Sequence, residues 1–506
     1  MPSFSIAYET IPPTTWAYMS SLLMIALFFR FNRFWSVRNF DLCLIVLLAP
    51  GLLMVESGRM TRAESANLES LRPFNSESSV AAEQLDGPPV SNEQVKSADS
   101  NPADPAAEFS KNEGKQKNAT PVVADVQSTQ LQKWGYIWLF SIGGIFLIRM
   151  LIDPALIRKP LLDPNLNSSG LIFLGVSLMI FLFANIIVSE PTARDLQGAR
   201  NALKLLQRQT ANEADVRQLQ REGPGYWLFN LFPVISTFGS SEEILEADPD
   251  EVIQLSRYVA AAKYLAIASQ LLIVLGLVFF CYFNYGNFSV GVGVATIYLM
   301  LPYTAIYTGH TLHALPAALM LAALVSLRIP WLAGILLGLA TGVSYYPIFL
   351  LPLWGSFYWE RGFKPFLIGV AASLGLCIFG LAFTSPDVYF FEKQLRAMFG
   401  FLLPRVAGLE GIWQLGWSSW YRLPIIVAHV ALAISLVFWP VEKNLGTLVS
   451  CTGALMIAVQ FWLGVDGGLT MAWYLPFVLL VSFRPNLNGR TAQVELNRKR
   501  REAVVG

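Results

Sequence analysis

Charge is scarce in this chain. Only 14% of its 506 residues are Asp, Glu, Lys or Arg, against roughly 25% in a soluble globular protein. The uncharged stretches are long and apolar, which argues against a string of soluble domains. Lys and Arg (36) nearly balance Asp and Glu (35), so the net charge offers no handle for nucleic acid. Cysteine is limited to Cys43, Cys281, Cys377 and Cys451. They are scattered through apolar runs, with neither metal-ligand spacing nor a disulfide framework. The histidines are only His310, His313 and His429. No P-loop, HExxH, GxSxG or CxxC occurs, which removes the common soluble hydrolase and redox classes.

What fills the sequence instead is hydrophobic runs matched to a bilayer. They fall at 14–30, 40–55, 134–152, 169–188, 258–283, 288–308, 311–327, 331–345, 346–359, 365–384, 423–440, 445–463 and 469–483. Runs of this length and apolarity predict an all-α polytopic transmembrane bundle of about thirteen helices. Pro347 and Pro352 interrupt one region, so 331–345 and 346–359 are either two short helices or one kinked helix. The first run is followed, not preceded, by Arg30, Arg33 and Arg38, which marks a retained helix and not a cleaved signal. Lys and Arg concentrate on cytoplasmic loops. Placing the 29–38 loop inside also puts Arg158-Lys159, Arg361, Lys364, Glu442-Lys443 and the tail Arg498-Lys499-Arg500-Arg501 inside. The N-terminus then lies outside and the C-terminus in the cytoplasm, as expected for a multi-pass protein of a bacterial inner membrane.

Four regions follow: a two-helix segment at 1–55, a polar loop at 56–133, the main bundle at 134–484 and a basic tail at 485–506. The loop is rich in Ser, Asn, Pro, Glu, Gln and Ala, too polar to bury a core, and is expected to be disordered. Within the outer segment 189–257, residues 194–222 read as an amphipathic helix. Leu196, Ala199, Leu203 and Leu206 recur at helical spacing, with Arg194, Arg200, Lys204 and Arg208 elsewhere around it. Such a helix is expected to lie in the membrane interface.

Candidate functional residues gather at the predicted outer helix ends. Asp195 starts the amphipathic helix, where the helix dipole alone would favour a carboxylate, and Glu190 is a second carboxylate in the same turn. His310 and His313 follow a Gly309 turn, an arrangement suited to a phosphate or polar headgroup as well as to simple packing. Arg396, Arg405 and Arg422 lie among aromatics in the third outer segment, as interface anchors or as cations for a lipid phosphate. Asp466 opens the Asp466-Gly467-Gly468 turn before the last run. Gly334 and Gly338 form a small-xxx-small pair for close helix packing.

The order of these features resembles the GT-C superfamily, especially its polyprenyl-phosphate-mannose-dependent mannosyltransferases. The similarity runs over about 170–483. Its best stretch has Arg257-Tyr258 opening a long helix, then Leu301-Pro302-Tyr303, Tyr307-Thr308-Gly309-His310, Pro330-Trp331-Leu332-Ala333-Gly334, Tyr346-Pro347 and Leu350-Leu351-Pro352. Upstream, Arg194-Asp195-Leu196-Gln197-Gly198-Ala199 looks like the family's first outer loop. The chain departs from the pattern in placing three helices and the polar loop before that segment. The resemblance implies inverting transfer of a sugar from a polyprenyl-phosphate donor to an acceptor hydroxyl at the outer face. Asp195 would be the general base. His310, His313 and one of the three arginines would face the phosphate, with Glu190 and Asp466 as further substrate contacts. Membrane lipids and the donor are the implied partners; the leaving phosphate is already anionic and needs no general acid, and nothing in the sequence calls for a cofactor or metal. A transporter would need mid-helix ionisable residues, and only His429 and Lys263 qualify. A non-catalytic scaffold tethered through 56–133 is the other alternative. Asp195 and His310 close together would favour the enzyme.

Overall fold

The computed structural model describes residues 12–70, 121–156, 164–192, 195–196, 198–200, 202, 223–236, 249–360, 362–385, 387–398, 409–441 and 443–485. Among them regular structure is helical throughout. In order the α-helices are α1 Pro13–Phe28, α2 Val37–Ser70, α3 Pro121–Ile152, α4 Ser168–Val188, α5 Pro224–Ser236, α6 Pro249–Phe280, α7 Phe288–Met300 and α8 Pro302–Ile306. Then come α9 Thr311–Val325, α10 Pro330–Val343, α11 Leu351–Tyr358, α12 Phe363–Thr384, α13 Val388–Met398, α14 Arg422–Phe438, α15 Leu445–Gln460 and α16 Leu475–Ser482. Six spans among the described residues are long and apolar enough to cross a membrane: Val37–Glu64, Val126–Ala155, Ser168–Val188, Tyr258–Tyr285, Phe363–Phe383 and Ser419–Phe438. Five shorter apolar helices, α1, α7, α9, α10 and α15, accompany them.

Two of the thirteen expected spans take another form. The run 346–359 is a 3₁₀ turn at Tyr346–Leu350 followed by the eight-residue α11. Pro347 and Pro352 remove backbone donors there, which separates this piece from α10. The run 469–483 likewise becomes a 3₁₀ turn, Met471–Trp473, and the eight-residue α16. At 13 residues α7 reaches only about 20 Å, short of the bilayer core. From Val290 to Met300 it is buried, so its apolar run serves the protein interior.

The contacts divide the chain into two compact units, Met1–Ala49 with Trp138–Gly506, and Pro50–Ile137. In the second unit the expected disordered loop is helical at both ends: α2 continues to Ser70, and α3 begins at Pro121. Residues 71–120 lie outside the described residues. Two glycines explain the pairing of the helical ends. A β-carbon on Gly58 would stand 2.8 Å from the Ser128 carbonyl, and one on Gly135 would stand 2.9 Å from the Gly51 carbonyl. The backbones thus approach more closely than any side chain permits, and Arg59 adds a bond to the Tyr136 hydroxyl at 3.1 Å. Polar surface positions carry no apolar period, so composition alone reads as disorder.

In the first unit local chemistry sets the helix ends. Asn167, Asn287 and Asn444 cap α4, α7 and α15 by accepting from the amides of Gly170, Val290 and Thr447. Hydroxyls inside apolar helices turn back on their own backbone: Ser269 donates to Leu265 O, Thr296 to Val292 O and Thr341 to Leu337 O. That satisfies groups which lipid could not. The tightest pairing is α10 on α12. Gly334 faces the Phe366 carbonyl, Gly338 faces Ser373 and Val370, and Gly369 answers from α12 against the Trp331 carbonyl.

Four charged residues that sequence reading assigned no role are joined in the interior. Arg149 of α3 meets Asp41 of α2 through Nε (2.9 Å) and Nη2 (3.1 Å), and Asp153 through Nη1 (2.8 Å). Arg484 reaches Asp153 Oδ2 at 2.6 Å, and Ser482 donates to Asp41 Oδ2 at 2.9 Å. Two guanidiniums thus face two carboxylates across α2, α3 and the end of α16. Each charge has an opposite partner within reach, the condition under which buried ions persist.

Candidate functional site

Thr192 prepares the position of Asp195. Its hydroxyl accepts from the Asp195 amide at 3.4 Å, and its carbonyl accepts from the Leu196 amide at 3.1 Å, an N-cap for the helical turns that follow. The same hydroxyl donates to Asp195 Oδ2 at 2.6 Å. The described turns then pack on α6, with Leu196 and Ala199 against Tyr258 and Ala261. At these two positions the apolar stripe meets protein. Leu203 and Leu206 lie outside the described residues.

Asp195 points at the start of α9. Thr311 gives its Oδ1 two bonds, one from the backbone N and one from the hydroxyl, both at 3.2 Å. A carboxylate at a helix N-terminus meets unsatisfied amides and the positive end of the dipole. The Thr311 hydroxyl proton is spent on Asp195, so the Tyr226 hydroxyl, 2.7 Å away, donates to Thr311. Tyr226 arrives on α5, a helix that the sequence reading did not anticipate. Gly198 makes room for it, since a β-carbon there would stand 2.6 Å from the Tyr226 ring. Tyr226→Phe removes one buried hydroxyl and is expected to cost about 1 kcal/mol, readable as a modest fall in the thermal midpoint of the detergent-solubilised protein.

His310 precedes α9 and brings its ring to the carboxylate: Nδ1 lies 3.6 Å from Asp195 Oδ2. Asp195 is 4% exposed and the His310 side chain 27%. Behind them is a stack of rings. Tyr307 and His310 lie 5.1 Å apart, His310 and His313 5.4 Å, Tyr307 and His313 5.3 Å, and Tyr303 and Tyr307 5.2 Å. Tyr303 and His313 also share a bond, hydroxyl to Nδ1, at 3.1 Å.

From this stack the contacts continue to the end of the chain. Trp473 donates its indole N–H to Leu312 O at 3.4 Å, and its ring lies 5.4 Å from Tyr346. Tyr346 meets Trp462 at 5.3 Å, and the Trp462 carbonyl accepts from Arg422 Nε at 3.0 Å. Arg422 is thus buried at the start of α14, at the far end of one aromatic path from Asp195.

The remaining predicted residues are dispersed. Glu190 is exposed before the Thr192 turn. Arg396 is exposed on α13 and paired with Glu392 one turn away, an ordinary surface pair. Arg405 lies outside the described residues. Asp466 takes a left-handed backbone (φ 51°), and its carbonyl accepts from Leu469 at 2.8 Å. Gln460 organises that turn by accepting from Gly468 N and the Thr470 hydroxyl. Lys263 donates to the Ile187 carbonyl at the end of α4, at 2.6 Å, the place where a cation complements the helix dipole. His429 packs edge-on to Phe349 at 4.7 Å, and neither ring nitrogen meets a hydrogen-bond partner among the described residues.

Thr192, Thr311 and Tyr226 were not anticipated. The first was within reach, because Thr three residues before a carboxylate is a capping spacing. The other two are separated from Asp195 in sequence and carried no local signal. No family model and no curated protein matches this chain.

Proposed function

We propose that this protein is a membrane glycosyltransferase that moves a sugar from a polyprenyl-phosphate donor to an acceptor hydroxyl at the outer membrane face, with inversion. The observation that carries this reading is the Asp195–His310 contact at 3.6 Å, between residues 115 positions apart. It unites the acidic helix start and the His-Gly turn, the features whose order resembles the GT-C mannosyltransferases.

The pair supplies the base that a hydroxyl nucleophile needs. The leaving lipid phosphate is already anionic and needs no acid. Positive or donating groups suffice to hold it, and the path through Trp473 and Tyr346 to Arg422 offers one such group.

The test is transfer by the reconstituted protein from a set of radiolabelled polyprenyl-phosphate sugars. Asp195→Asn is expected to slow transfer by about 10²- to 10⁴-fold, the usual worth of a positioned base, far beyond any loss of folded protein. Transfer at the wild-type rate by that variant would remove Asp195 from the chemistry. A wild-type protein inert toward every donor would remove the transferase reading.

A further inference from the structure

We propose that His310 is the group that takes the acceptor proton, and that Asp195 acts through it as a positioning residue. The chemical step rests on the sugar-transfer reading above; the pairing of the two side chains does not.

Asp195 is poorly placed to meet a substrate. Its oxygens already receive three bonds, two from Thr311 and one from Thr192, and only 4% of the side chain is exposed. A hydroxyl nucleophile could reach it only by displacing one of those donors. His310 is the more open partner. Among the described residues Asp195 is the one polar group its ring meets, and that contact uses Nδ1. Nε2 is left for another molecule.

A neutral imidazole carries a proton on one nitrogen and a lone pair on the other. With the lone pair on Nδ1, it would point at a carboxylate in a buried setting. With the proton there, the same charge attracts it. Asp195 therefore selects the Nδ1–H form and leaves the lone pair on Nε2, the form a general base requires. At 3.6 Å the contact is longer than a hydrogen bond. Such contacts are often long without substrate and tighten with it. His313 is excluded from the role, because it is buried and its Nδ1 is held by Tyr303.

The step then balances. The acceptor oxygen forms a bond to the anomeric carbon, and the bond from that carbon to the phosphate oxygen breaks. The electron pair leaves with the lipid phosphate, which gains one negative charge. The hydroxyl proton passes to Nε2 of His310, which gains one positive charge. Asp195 stays a carboxylate, stabilises the imidazolium and holds its orientation. His310 then releases the proton to water.

Three histidines in the whole chain make this readable. Full-length protein labelled with ¹⁵N-histidine, in lipid nanodiscs and with the rings neutral, gives signals assignable with His310→Gln, His313→Gln and His429→Gln. The expected result is a proton on Nδ1 of His310. In Asp195→Asn the His310 proton should return to Nε2, the form free imidazole side chains prefer, with His313 and His429 unshifted. A wild-type His310 protonated on Nε2 overturns the proposal, and that spectrum needs no variant to fold. In the transfer assay, Asp195→Asn and His310→Gln should each slow the reaction by about 10²- to 10⁴-fold, and the double variant no further. Fully multiplicative losses overturn it. The expected tautomer without transfer from any donor sinks the transferase reading alone.

Discussion

Replacing Asp153 by alanine is expected to destabilise the protein by about 3–5 kcal/mol, the usual cost of removing one partner from a buried ion pair. Asp153 is fully buried. One of its oxygens takes Arg149 Nη1 and the other takes Arg484 Nη2, which its main-chain carbonyl also accepts at 3.0 Å. Alanine removes the charge that these guanidiniums face and leaves Asp41 as the one carboxylate of the cluster. Neither arginine can move into water without dragging α3 or the end of α16 with it. Urea or SDS unfolding in mixed micelles measures the loss. The exposed Glu392–Arg396 pair is the control, since Arg396→Ala should change stability by less than about 1 kcal/mol. Equal effects at the two sites would show that the interior cluster is as well solvated as the surface pair.

The second large effect belongs to Gly334. A β-carbon there would lie 2.2 Å from the Phe366 carbonyl oxygen and 3.1 Å from the Val370 amide. Both are backbone atoms of α12, so relief requires the two helices to separate. Gly369 reproduces the arrangement in reverse, with a β-carbon 2.1 Å from Trp331 O. Gly334→Val should therefore cost about 3 kcal/mol or more, at the upper end of overpacking effects. Gly375, on the same α12, has open space where its β-carbon would be. Gly375→Ala should be neutral or stabilising by up to about 1 kcal/mol, through helix propensity. The two variants measured together separate close packing from any general intolerance of change in α12.

Much of this architecture was legible because a bilayer imposes long apolar runs, and residues 169–188 or 365–384 leave no other reading. The Gly334-xxx-Gly338 spacing announced a close crossing for a similarly local reason. Legibility ended where structure depends on distant partners. Pro224-Gly225-Tyr226 looks like a loop from its composition. It starts a helix that packs close on the end of α10, where a β-carbon on Gly225 would be 3.0 Å from the Gly342 carbonyl carbon. Helical residues 56–70 and 121–133 were hidden by their polarity. Asp195 and His310 were both visible as candidates, but their meeting was not. Asp41, Arg149, Asp153 and Arg484 were assigned no role, because nothing local to any of them specifies the others. Arg396 and Arg422 looked alike, and only burial distinguishes the surface pair from the arginine held by Trp462.

The bond from Ser482 to Asp41 spans 441 residues of sequence. At about 5–20 residues per second, Asp41 is made roughly 20–90 s before Ser482. Arg149 comes off the ribosome early in that interval, so the carboxylate of Asp41 has a partner during most of it. Asp153 is made four residues later, next to its first partner Arg149, and only its second partner, Arg484, comes last. The cluster is therefore assembled in two instalments, and the second arrives with the same short segment that brings Trp473 to Leu312. Synthesis that stalls before this segment yields a bundle with an incomplete charge cluster, in which α9 lacks its bond from Trp473.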